Sequence, residues 1–237
     1  MTGQSPKNTD GARAKAVSQP RRRTRRSKAE QRAETLEHIL DAAEYLFARH
    51  GLHGVTLRDV GKRVGIHTTL LHYYFDDKKH LFEAVFARRA AVTSERRMTA
   101  LSEYEARAGD TPTVEGALRA FLDTDLDLYF EGGEAWMNYA SFCARVSNTS
   151  EGAELMDAHF DPVVLKLVSI LKRALPDHSE EDIFWGYHFV TGALMTTLAR
   201  TGRIDRLSDG VCHADDFPAI KHRISDFLAA GFVALKQ

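Results

Sequence analysis

The sequence predicts an all-α fold, and three observations carry the prediction. Apolar residues recur at spacings of three and four over most of the 237 residues, as they do along one-sided helices. Alternating apolar and polar runs never exceed a few residues, so no strands are expected. Helix-starting and helix-ending residues stand at the borders of the periodic stretches, among them Thr56, Gly65, Asp77 and Ser179.

In chain order, residues 1–28 are rich in Ser, Thr, Gly, Pro and basic side chains, with almost no large apolar group. Such a segment buries too little surface to order itself and is expected to be a disordered basic arm. Pro20 to Lys28 (PRRRTRRSK) holds five arginines and a lysine. Beside a DNA-binding unit, such an arm lies on phosphates or in the minor groove; otherwise it is a solubilising tail. A first helix is expected from Lys28 to His50, with Leu36, Ile39, Leu40, Ala43, Leu46 and Phe47 on one stripe and Gly51 as its stop.

The stretch from Thr56 to Phe75 (TLRDVGKRVGIHTTLLHYYF) reads as two short helices around a tight turn. Thr56 is an N-cap, and Asp59 three residues on nearly completes a capping box. Gly65 suits the left-handed residue that ends a helix. A second helix starts near His67 to Thr69. Leu70, Leu71 and Tyr74 are expected inward; Thr68, Thr69, His72 and Tyr73 outward. This is the helix-turn-helix pattern, whose second helix enters a DNA major groove. Threonines there bond a base edge or touch a thymine methyl. His67 is read as a base contact or a cap, and Tyr74 as core.

Asp77 is expected to cap a long helix from Lys78 to about Arg107. Its charge runs Arg88-Arg89 and Arg96-Arg97 are read as solvated faces. Further helices are expected over Val114–Phe130, Glu134–Val146, Glu151–Leu175 (interrupted or kinked at Pro162), Glu180–Arg200 and Phe217–Leu235. A polar loop precedes the last one.

Charge is divided unevenly. Residues 1–75 carry 14 Lys and Arg against 7 Asp and Glu, a net of +7, while the remainder carries 18 against 26, a net of −8. One end therefore suits a polyanion and the other does not. Cys143 and Cys212 form neither a disulfide framework nor a metal motif, and a reducing cytoplasm is the expected setting. No membrane span, metal or cofactor is expected.

With LDAAEYLFARHGLHGV before it and DDKKHLFEAVF after it, the helix-turn-helix stretch resembles the DNA-binding domain of the TetR family of transcriptional regulators over about residues 33–93. Gly61 stands where alanine is more usual, and His72 where tyrosine is common. The resemblance implies a DNA-binding domain at 29–93 and a helical effector-binding and dimerisation domain at 94–237. It also implies a homodimer on double-stranded DNA, with Arg58 reaching a guanine and Thr56, Tyr73, Tyr74 and Lys78 on phosphates.

In the second domain, Trp136, Tyr139, Phe142 and Cys143, with His159, Trp185, His188 and Phe189, suggest a chamber for an apolar small molecule. Each residue alone also fits ordinary core. The pattern LxxALPxxSEEDxxWxxxFxxGAL, from Leu171 to Leu194, is similar to a subgroup that answers to fatty acids or their CoA thioesters. The resemblance further implies that the last two helices pair with their copies in a four-helix bundle. Gly186, Gly192 and Ala193 are expected to allow the close approach. The HExxH, G-x-S-x-G, P-loop and G-x-G-x-x-G motifs are all missing, so an enzyme is not expected. The expected function is ligand-responsive repression at a pseudo-palindromic operator. The alternative is nonspecific nucleoid-type DNA binding.

Overall fold

The fold, a computed structural model, describes residues 27–235 and Thr2. The arginines from Arg21 to Arg26 lie outside the described residues. Ten helices follow one another: α1 (Lys28–His50), α2 (Leu57–Val64), α3 (Thr68–Tyr74), α4 (Lys78–Ala108), α5 (Val114–Glu131), α6 (Gly133–Val146), α7 (Ser150–Ala174), α8 (Glu180–Ala199), α9 (Arg203–Leu207) and α10 (Phe217–Ala234). No strand occurs among the described residues. No helix there is long and apolar enough to cross a membrane.

Local chemistry sets most borders. Ser27 and Glu30 close a capping box at α1, and Thr56 with Asp59 closes a complete one at α2. Side-chain caps from Asp77, Thr113, Thr149, Ser179 and Asp216 start α4, α5, α7, α8 and α10. Gly65 ends α2 at φ 79°, ψ 29°, a conformation that glycine adopts without a Cβ penalty.

Two expectations about elements change. Of the interruption or kink expected at Pro162, the interruption does not occur: α7 is one continuous helix there. Proline there removes the hydrogen bond to the Ala158 carbonyl, but both residues are exposed, so water can satisfy that carbonyl. The loop before α10 holds the five-residue α9. It buries none of its side chains, so no apolar stripe announced it.

α4 joins the two halves. Leu81, Phe82, Val85 and Phe86 on its first turns pack toward α1, while its later turns meet α5 and α7. Arg88 and Arg89 are not a solvated face. Arg88 bonds Glu37 at 3.0 Å, Asp41 at 2.9 Å and Glu44 at 3.0 Å, and Arg89 bonds Glu44 at 2.6 Å, all on α1. Glu44 is buried, so this clamp is shielded from salt and should hold α1 on α4 more firmly than surface pairs would. Arg97 is likewise buried, against Asp125 of α5. Both corrections have one cause: these arginines lie on the inner side of α4, where other helices supply carboxylates.

Candidate nucleic-acid interface and ligand cavity

α3 is held by a narrow apolar side. Leu71 and Phe75 are buried and Tyr74 half-buried, while His67, Thr69, His72 and Tyr73 are exposed. Thr68 is half-buried and Leu70 is exposed, the reverse of the expectation for each. A seven-residue helix has two turns, and only the Leu71–Phe75 side meets α1, α2 and α4. Gly61 explains how closely α2 approaches: a Cβ there would sit 3.0 Å from the Ile66 carbonyl oxygen and 3.3 Å from Leu71 Cδ1. His67 caps α3, its Nδ1 lying 2.9 Å from Thr69 Oγ1 and accepting from the Thr69 amide at 3.4 Å.

Tyr73 and Tyr74 are oriented from α1. The Arg32 guanidinium lies over both rings, at 5.0 and 5.8 Å from their centroids. The Tyr74 hydroxyl donates to the Arg32 carbonyl at 3.3 Å. Arg58 is exposed on the first turn of α2, and Lys78 is half-buried at the start of α4. Thr56 spends its side chain on the capping box with Asp59.

The eight residues named for a chamber do not gather in one place. Trp136, Tyr139, Cys143 and His159 fall among packed rings. Tyr139 lies 5.9 Å from Trp136 and 6.3 Å from Tyr129, and His159 lies 5.6 Å from Phe86, between ring centroids. Phe142 belongs to the same group, 6.5 Å from Tyr139, and also joins the two halves, 5.0 Å from Phe82 of α4 and 6.2 Å from Phe47 of α1. Burial pushes the Cys143 thiol up to about 12, so it stays protonated. Trp185, His188 and Phe189 point away from this group, on the exposed side of α8. Ile183, Gly186, Val190, Leu194 and Leu198 occupy the buried side.

Gly186 serves that buried side. A Cβ on it would meet the Phe232 ring of α10 at 2.1 Å, whereas one on Gly192 would meet nothing within 4 Å. Close packing at Gly186 is therefore internal to the chain, contrary to its expected place between copies. A cavity of about 630 Å³ opens elsewhere, between the end of α8, α9 and the start of α10. None of the eight expected residues lines it.

Two family models match this chain. The one described as bacterial regulatory proteins, tetR family, covers residues 39–85, and the one described as tetracyclin repressor-like, C-terminal domain, covers residues 119–231. The chain belongs to the TetR family. It is a transcriptional regulator with a helix-turn-helix DNA-binding domain and a helical effector domain, not an enzyme. A curated relative, the HTH-type transcriptional regulator BetI of Escherichia coli O157:H7, is 24% identical over 165 residues, covering 70% of this chain and 82% of BetI.

Among solved structures, the regulator FadR from Bacillus subtilis, in complex with stearoyl-CoA, superposes with a TM-score of 0.60 at 17% identity, over 82% of this chain and 98% of FadR. The fatty acid degradation regulator FadR from Bacillus halodurans gives a TM-score of 0.53 at 15% identity, over 83% and 95%. At these identities the two structures show the shared fold.

Several residues of this TetR-family regulator that matter to the site carried little signal in sequence. Arg32 sits 41 positions before Tyr73, and nothing local announces that pairing. Asp205, His213 and Asp215 bring ligand atoms within 4.8 Å of one another. Their spacing matches no metal motif, and the Asp205–His213 ion pair at 3.4 Å accounts for much of their approach.

Proposed function

We propose that this regulator is a repressor that binds a pseudo-palindromic operator as a homodimer and lets go when a small hydrophobic effector, such as a fatty acid or acyl-CoA, enters its helical domain. In this reading residues 29–93 bind DNA in the cytoplasm, and residues 94–237 bind the effector and the second copy. Thr69 and His72 face base edges, joined by His67, Thr68 and Arg58. Tyr73, Tyr74, Thr56 and Lys78 lie along phosphates, and the arginine arm adds salt-dependent affinity.

The observation that carries the reading is the pairing of two exposed surfaces. One is the polar side of α3. The other is the apolar outer side of α8 and α10, where Phe184, Trp185, Phe189, Phe227 and Val233 are 43, 50, 52, 77 and 63% exposed. Apolar area of this extent is stabilised by a partner, and a two-fold copy places two α3 helices for successive major grooves, about 34–36 Å apart. The effector part is supported by the cavity in the helical domain and by the stearoyl-CoA bound to the FadR relative.

The experiment is a selection of random duplex DNA by the purified protein at near-physiological salt, read by sequencing. An inverted repeat with fixed half-site spacing is expected. Absence of any enriched motif, with binding that vanishes as salt rises, would overturn the reading in favour of nonspecific binding.

A further inference from the structure

The cavity between α8, α9 and α10 has a volume of about 630 Å³, well within the range of small-molecule sites. Its wall includes Ile204, Leu207, Val211 and Ile220. Ile204, Leu207 and Val211 are 49, 69 and 84% exposed, so covering them removes apolar surface from water.

Arg200, Arg203, Asp216 and Arg223 are charged residues of the cavity lining, and Arg200 is the one held half-buried without an ion pair among the described residues. It closes α8 in a left-handed conformation, φ 42° and ψ 52°. Its Nη2 donates to the Met137 carbonyl at 3.4 Å and to Ser141 Oγ at 3.5 Å, both on α6. Its Nε is buried and has no hydrogen-bond partner among the described residues. Arg88, Arg89, Arg97 and Arg119 each have a carboxylate within 3.0 Å, but Arg200 has no ion pair among the described residues. Burial lowers its pKa, Asp215 works against that at longer range, and Arg49 adds to it. A half-buried guanidinium without a counterion, beside an apolar wall, is complementary to an anion that carries an apolar tail.

We propose that this cavity binds an aliphatic carboxylate, its chain along Ile204, Leu207, Val211 and Ile220 and its carboxylate on Arg200. The proposal rests on the effector reading above and assigns that effector a site and a head group. The position also suits signalling. Arg200 is bonded to α6, and α6 is bonded to α1 through Asn138 with Arg49 at 3.1 Å and Arg145 with the Ala48 carbonyl at 3.3 Å. A carboxylate that competes for Arg200 therefore acts on the helix that abuts the DNA-binding half.

The test uses the full chain and two probes, dodecanoate and its uncharged analogue dodecanol. Binding is measured by calorimetry, and release from the selected duplex by fluorescence anisotropy. Arg200→Gln should weaken dodecanoate about tenfold or more, the scale of a hydrogen bond to a charged group, and leave dodecanol within about twofold. Val211→Asp, at an exposed loop position that does not threaten folding, should weaken both probes.

If dodecanoate binds wild type and both variants equally, the cavity assignment is wrong. If it also releases all three proteins from DNA, the effector reading survives and the effector sits elsewhere. If dodecanoate binds in an Arg200-dependent way but leaves the duplex bound, the site stands and the effector reading fails. If dodecanoate does not bind wild type, while Leu207→Asp turns a dimer into a monomer in sedimentation, the apolar wall belongs to a second copy and the proposal is overturned.

Discussion

Arg97 of α4 and Asp125 of α5 form an ion pair of 2.6 Å with side chains only 6 and 2% exposed. Tyr129 donates its hydroxyl to the same carboxylate at 3.0 Å. Yet Arg97 Nε and Asp125 Oδ1 have no partner among the described residues. The pair thus locks α4 to α5 with its hydrogen-bonding capacity incompletely used. Desolvation raises the Asp125 pKa, and Arg97 is the largest opposing influence. Replacing Arg97 with Met should cost about 3–5 kcal/mol, because it strands a buried carboxylate. Replacing Asp125 with Leu as well should recover much of that loss. Urea denaturation of the two single variants and the double variant checks this; a loss in the double variant equal to the sum of the two single losses would show that the charges act independently.

Surface roles on α3 separate by sequence dependence. Tyr73→Ala should weaken binding to every duplex alike, since a phosphate contact carries no base information. Thr69→Ala should instead shift which base is preferred at one position of each half-site, by about 1–3 kcal/mol of discrimination. Repeating the selection with each variant tells them apart. An unchanged motif for Thr69→Ala would move the reading surface off this side of α3.

The two cysteines should react differently with an alkylating reagent near neutral pH. Cys212 is exposed, while Cys143 is buried and its thiol is pushed up to about 12. The thiolate is the reactive form. Mass spectrometry should find one label in the native protein, on Cys212, and two after denaturation. Native labelling of Cys143 would mean that the α6 interior opens on the reaction timescale.

Gly186→Ala tests the α8–α10 contact. A helical Gly to Ala change normally gains about 1 kcal/mol. Here the new methyl meets the Phe232 ring at 2.1 Å, and that ring is itself buried, so overpacking of about 1–3 kcal/mol is expected to win. A melting temperature at or above wild type would show that Phe232 moves aside freely.

Asp59 gives a pH prediction. Its side-chain and backbone hydrogen bonds with Thr56 hold its carboxyl below the ordinary 3.8. A lowered folded-state pKa contributes stability above the unfolded value and loses it as pH falls through the folded value. The capping contribution should therefore fade below about pH 4. Thermal melts of wild type and Asp59→Asn between about pH 5 and 3 should converge toward the acid end. Parallel curves would show that the carboxylate is not what caps α2.

The sequence by itself determined the longer helices and the helix-turn-helix motif, though not the short α9. Thr56, Gly65, Asp77 and Ser179 act on backbone groups within four residues, so their meaning is complete in a short window. The same holds for α3, whose inner Leu71 and outer Thr69, His72 and Tyr73 follow from one short period.

The tertiary structure alone decided what each helical face meets. α8 is apolar nearly all round, so periodicity could not tell that Gly186 and Val190 face α10 and the core while Trp185 and Phe189 face out. Arg88, Arg89 and Arg97 read as solvent charges until Glu44 and Asp125 come to them from other helices. The α8–α9–α10 cavity is likewise walled in part by α9 and the loop after it, which bear no buried apolar stripe. A helix's period is a local property of its backbone. The partner of each face depends on contacts between residues far apart in the chain, and those form only when the chain folds.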